Sequence, residues 1–162
     1  MTYSDSQIYS YRKTVISYLK NKNLKKGKHK LIRTRVDPNT NTVKATNQRC
    51  CLGHMCIALG LKHVSGTFEN GVDAILPSSA MDMLGMHTLN GGAKNGSLDK
   101  SLMPDRMLKK IINVDIQKHY AGNTASLATY NDFSTIQPWE IAEYLENVIL
   151  GGDGTPWREI KV

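Results

Sequence analysis

No stretch of this chain strings together the roughly 18 apolar residues that a spanning helix needs, so no transmembrane segment is expected. The first residues, MTYSDSQIYSYRK, have no charged start followed by an apolar block and do not read as a secretory leader. Cysteine is scarce: Cys50, Cys51 and Cys56 are the only three, and two are adjacent. An odd count in that arrangement makes no disulfide framework and suits a reducing compartment, so a cytoplasmic setting is expected. The phosphate loop GxxxxGK[ST], a GxGxxG after a strand, HExxH and GxSxG are all missing. Carboxylates are few and form no acid/base pair. The glycine-rich NGGAKNGS (90–97) lacks the strand-loop-helix context of a phosphate cradle. Helix-turn-helix, zinc-finger, KH and RRM signatures are absent too, and specific nucleic-acid recognition is not expected. These absences favour a binding protein over an enzyme, with no cofactor.

What the chain does have is an uneven charge. At 162 residues it reads as one domain, 1–162, able to bury a core without staples. Residues 1–50 carry twelve Lys/Arg against Asp5 and Asp37, a net of +10, whereas the remaining 112 residues are at −3. A basic first third on a near-neutral remainder points to an anionic partner: nucleic acid, a nucleotide or another phosphorylated ligand. The lysines of KNKNLKKGKHK read first as a solvated face. Arg33 and Arg35 differ, because they lie within a strand pattern.

Ser4 followed by Gln7 has capping-box spacing, and Ile8, Tyr11, Val15, Tyr18 and Leu19 then fall on one helical face. That helix fades by Asn23. LIRTRV (31–36) and TVKAT (42–46) flank the turn DPNTN and predict a β-hairpin. Alternation puts Ile32, Thr34 and Val36 on one face and Leu31, Arg33 and Arg35 on the other. Further helices are predicted from Pro77 to near Gly85, from Pro104, and from Pro138 to the stop at Gly151-Gly152. HYAGNTASLATYND is unassigned, and the tail through Trp157 is expected to dock or to pair with another subunit. The class is α+β: several helices packed around a small antiparallel hairpin or sheet.

The stretch NQRCCLGHMCIALG (47–60) crowds three cysteines and His54 together. It offers no CxxC, and the other histidines are scattered singly, so metal is not expected. A thiol nucleophile at a helix start beside Arg49 is conceivable chemically, but needs a base the sequence does not place. Leu52, Met55, Cys56 and Leu59 follow helical spacing with Gly60 as a stop, which makes the stretch a packed helix with Gly53 allowing a close approach.

Three segments taken together carry a resemblance: the basic hairpin leading into RCCLGHMCIALGL, then LPSSAMDMLGM, then LATYNDFSTIQPWEIAEYLE. The combination resembles a family of small phage and prophage proteins with a CCLGVLC-type helix, an LPxxxxxWLGL-like segment and a terminal LAxLNDxGxxFxxIAxxIE-like helix. It covers roughly 60% of the chain. His54-Met55 departs from the usual apolar pair, Met83 stands where an aromatic is common, and residues 87–124 look like an insertion. The resemblance overlaps small oligomeric sponges that sequester nucleotide immune signals, including the cyclic dinucleotides of CBASS defence. It implies a homo-oligomer (dimer or tetramer) in the host bacterial cytoplasm that binds a cyclic dinucleotide or related signal without cleaving it. By their charge and their place on the hairpin and at its end, Arg33, Arg35, Lys44 and Arg49 are the residues expected to meet phosphates. Tyr130 and Asn131 are expected to stack on, or hydrogen-bond to, a base. Two other classes stay open: an interaction protein that occupies a host enzyme, and a thiol-dependent or nucleotide-degrading enzyme.

Overall fold

A computed structural model describes residues 2–111 and 125–162. The first helix, α1 (Asp5–Leu19), starts as its capping box requires: Ser4 Oγ accepts the Gln7 N–H at 3.2 Å and Gln7 Oε1 accepts the Ser4 N–H at 2.8 Å. Its buried face is Ile8, Arg12, Val15, Ile16 and Leu19, while the expected Tyr11 and Tyr18 sit half-buried at the margin. An arginine at the centre of an apolar stripe is tolerated because its donors are met. Arg12 donates to the carbonyls of Leu84 (2.9 Å), Ile149 (2.8 Å) and Arg158 (2.9 Å), and its guanidinium lies 4.6 Å from the Trp157 ring centre. Burial, with Arg158 nearby, pushes its pKa down to about 10, leaving it charged at neutral pH. This one side chain ties α1 to the chain's last turn.

The lysine-rich run supplies β1 (Lys25–Lys26), which pairs parallel with β3 (Val43–Arg49), while β2 (Ile32–Val36) pairs antiparallel on the other side of β3. The sheet is therefore mixed, order β1-β3-β2, rather than wholly antiparallel. Lys26 is no solvated lysine: its ammonium donates to the carbonyls of Ser134 (2.8 Å) and Ile136 (2.7 Å), and burial pushes its pKa down to about 8. β3 runs three residues past the expected end, through Arg49, so Arg49 closes a strand instead of opening a helix. A register shift between Ile32 and Thr34 absorbs the extra length. Beyond it every residue of β2 is exposed, and the hairpin leaves the body as a two-stranded ribbon.

Cys50 caps α2 (Cys51–Ala58), its Sγ accepting the Gly53 N–H at 3.4 Å. Six consecutive residues, Cys51 to Cys56, are buried, so α2 is enclosed on all sides, as a helix apolar all round must be. Gly53 lies against the β2 approach: a Cβ there would sit 1.7 Å from the Leu31 carbonyl oxygen. α3 (Ser78–Leu84) follows Pro77 and ends at Gly85, whose φ is +61°. α4 (Asp105–Ile111) follows Pro104, and α5 (Leu127–Phe133) is capped by Ser126. α6 (Pro138–Asn147) has proline in its first turn, and Gly151 follows at φ +80°.

One apolar core runs through all of this, from Val15 and Leu19 to Leu145 and Trp157. Leu98, Met103, Met107 and Ile111 belong to it, so the described part of the expected insertion is packed into the common core; 112–124 lie outside the described residues. The tail docks on its own chain, with Met86 bridging to Trp157 and Trp157 fully buried. The fold is α+β, with six helices and a small three-stranded sheet among the described residues.

Candidate anion-binding ribbon

Arg35 and Lys44 are direct cross-strand partners, so they share one face of the β2–β3 ribbon. Arg33, two residues before Arg35, falls on the same side by the period of the strand. All three are exposed. The Lys44 ammonium has Asp37 at 3.6 Å, but among the described residues no carboxylate lies within 4 Å of Arg33 or Arg35. The ribbon's tip is held by Asp37, whose N–H and carbonyl bond to Thr42 and Asn41, with Asn41 at φ +58°. A depression of about 260 Å³ at this tip is lined by Arg35, Val36, Asp37, Pro38 and Lys44. The opposite face is apolar at its end, with Val36 58% and Val43 47% exposed.

Arg49 stands apart from these three. It is half-buried at the root of the ribbon, opposite Ile32, and its Nε is buried with no hydrogen-bond partner among the described residues. Near it lies His54, wholly buried, with Nε2 2.9 Å from the Lys25 carbonyl oxygen. That bond makes Nε2 the protonated nitrogen, and burial pushes the imidazole pKa down to about 4.

Two expected ligand residues belong to the interior instead. Tyr130 is fully buried within α5, and burial raises its pKa. Asn131 is also fully buried and has three partners: its Oδ1 accepts the Cys51 N–H (3.1 Å), and its Nδ2 donates to the Gly27 carbonyl (3.0 Å) and to Asp132 Oδ1 (3.0 Å). Asp132 in turn accepts the His29 N–H at 3.0 Å. Asn131 and Asp132 fasten α5 to the start of α2 and to the β1–β2 connection. Asn131 reaches no ligand without dismantling that joint, and Tyr130 is enclosed in the core beside it.

The thiols fare no better as chemistry. Burial pushes Cys50 up to about 11 and raises Cys51 and Cys56 further, so each stays a neutral thiol at pH 7. The expected lowering by a helix start and a nearby arginine is outweighed by desolvation. Among the described residues no three His, Cys, Asp or Glu side chains gather as metal ligands would.

A hollow that the sequence did not signal opens beside the ribbon's root. It measures about 380 Å³ and is walled by residues 61–64 and 67–69 together with Pro77 and Ser79. Its hairpin turn depends on Ser65 at φ +48° and Gly66 at φ +85°. Only Gly66 could have hinted at such a turn.

The chain matches no protein-family model, no curated protein and no solved structure. The resemblance to small phage proteins therefore rests on the motifs themselves.

Proposed function

We propose that this protein captures an anionic nucleotide, foremost a cyclic dinucleotide immune signal, and holds it without cleaving it. The observation that carries this reading is the ribbon face on which Arg33, Arg35 and Lys44 stand exposed, the arginines unanswered by any carboxylate among the described residues. Guanidinium forks on a strand match phosphate geometry in a way that freely moving lysines do not. The neutral, buried thiols weigh against a cysteine enzyme. The resemblance to phage anti-defence proteins supplies the ligand class and the setting, a host bacterial cytoplasm. No helix among the described residues is long and apolar enough to cross a membrane.

The ribbon's own hollow, about 260 Å³, is smaller than the roughly 300–1,000 Å³ of ordinary ligand sites. A complete site on this reading takes two ribbons, and the protein works as a homo-oligomer. The test is incubation with labelled cyclic dinucleotides, then denaturation and chromatography. Intact ligand recovered in stoichiometric amount supports capture; no retention at micromolar protein refutes it, and steady conversion to a product makes the protein an enzyme.

A second reading has its own observation. Val36 and Val43, exposed on the ribbon's other face, suit a protein that occupies a host enzyme by surface contact. Such a protein retains its partner and leaves nucleotides in solution.

A further inference from the structure

We infer that the hollow formed by residues 61–69 receives a planar heteroaromatic ring, the base of the nucleotide; its chemical class rests on the function proposed above. Three properties argue for this. First, the hollow is of ligand size and already formed. Val64 and Thr67 exchange both backbone hydrogen bonds (2.9 and 3.0 Å), the Phe68 N–H bonds to Val72, and Pro77 closes one side. Gly66 is seated against the ribbon root on the Ile32–Thr34 side, the face opposite Arg33 and Arg35, where a Cβ would come within 2.8 Å of Thr34 Cγ2.

Second, its walls suit a flat ring. His63 and Phe68 stand 5.6 Å apart, inclined at 56°, and Val64 at the rim is 81% exposed with no apolar cover. Phe68, 4% exposed, backs the His63 ring from the core, so an aromatic ring entering there stacks on His63 and covers Val64.

Third, the polar groups are few and set in fixed roles. His63 Nδ1 accepts the Gly66 N–H at 3.1 Å, which leaves Nε2 as the ring's N–H donor. Glu69 Oε1 accepts the Ser79 N–H at 3.2 Å, which holds the carboxylate in place and leaves Oε2 as an acceptor. A donor, an acceptor and the Lys62 ammonium around an apolar hollow make the pattern a nucleobase edge reads, with a cation at hand for an attached phosphate.

Adenosine, guanosine and inorganic tripolyphosphate are titrated separately into the full chain, with binding followed by calorimetry and by the His63 ring resonances. The expected result is that one nucleoside binds and shifts His63, and that Glu69→Gln and His63→Ala each weaken it about ten-fold, the worth of one lost hydrogen bond. Val64→Arg, at an exposed rim position, keeps the fold and blocks the nucleoside. Tripolyphosphate retained through Arg33 and Arg35 while neither nucleoside binds overturns the base site and leaves the proposed function standing. A nucleoside that binds while phosphate capture ignores Arg33 and Arg35 upholds the base site and overturns the function.

Discussion

Replacing Gly53 by alanine puts a methyl group where the Leu31 carbonyl oxygen now sits. The added Cβ would lie 1.7 Å from that oxygen and 2.5 Å from its carbon, whereas ordinary contacts begin at 3.4 Å. The obstacle is backbone, so no side-chain rotation relieves it. α2 and the approach to β2 must part by well over an ångström. α2 has nowhere to go, because its residues from Cys51 to Cys56 are all buried. Moving Leu31 instead strains its 2.7 Å bond to Asp73 and the Cys50–Lys30 bond beside it. In an isolated helix the same change is favourable by about 1 kcal/mol. Overpacking of about 1–3 kcal/mol and about 1 kcal/mol for each weakened hydrogen bond outweigh that gain. The net expectation is a loss of about 2–4 kcal/mol, or about 6–12 °C in Tm for a chain of this size. Gly60→Ala serves as the comparison. Its φ of +74° is strained for alanine, but nothing lies within 4 Å, so about 1 kcal/mol should be lost. Urea unfolding followed by circular dichroism reads both. A Gly53→Ala protein as stable as the parent, or less affected than Gly60→Ala, would refute the close approach.

Arg12→Met should cost about 3–5 kcal/mol in urea unfolding, because the carbonyls of Leu84, Ile149 and Arg158 lose their shared donor; a cost below about 1 kcal/mol contradicts its role as a tie. His54 should make the fold acid-sensitive. Its folded pKa of about 4 lies below the unfolded 6.5, so the unfolded chain binds more protons between them and stability falls as pH drops through that window. The full effect is on the order of 3 kcal/mol, and His54→Gln should flatten the profile from pH 6.5 to 4. Asp5 and Asp99, whose carboxyls are held low by hydrogen bonds, lose their contribution only below about pH 4. An unchanged slope in His54→Gln would reassign the acid sensitivity.

Features set by neighbours in the chain were the legible ones. Ser4 with Gln7, Pro77, Gly85, Pro138 and the left-handed Gly60 each act within one helical turn of a helix end, and the structure has each where the sequence put it. The hairpin was legible from its turn, and Gly53 from its place in an apolar helix. Features set by distant carbonyls were hidden. Arg12 looks like a solvent arginine until residues 84, 149 and 158 converge on it. Tyr130 and Asn131 read as residues that meet a base, yet Asn131 bonds to Cys51 and Gly27, 80 and 104 positions away. The segments that carry the family resemblance, around Cys51 and around Asn131, meet at that joint. Their motif residues hold the fold, and the exposed ribbon beside them is free to hold a ligand.

The most direct measurement is the affinity of labelled cyclic dinucleotides for the parent protein and for the Arg33→Ala/Arg35→Ala double variant, with ligand integrity checked afterwards. Both positions are exposed, so the variant keeps its fold and its circular dichroism spectrum. The parent should bind at least one cyclic dinucleotide and return it intact, and affinity should fall by about ten-fold or more for each arginine removed. Equal affinity in the two proteins, or a ligand returned cleaved, would contradict the proposed capture.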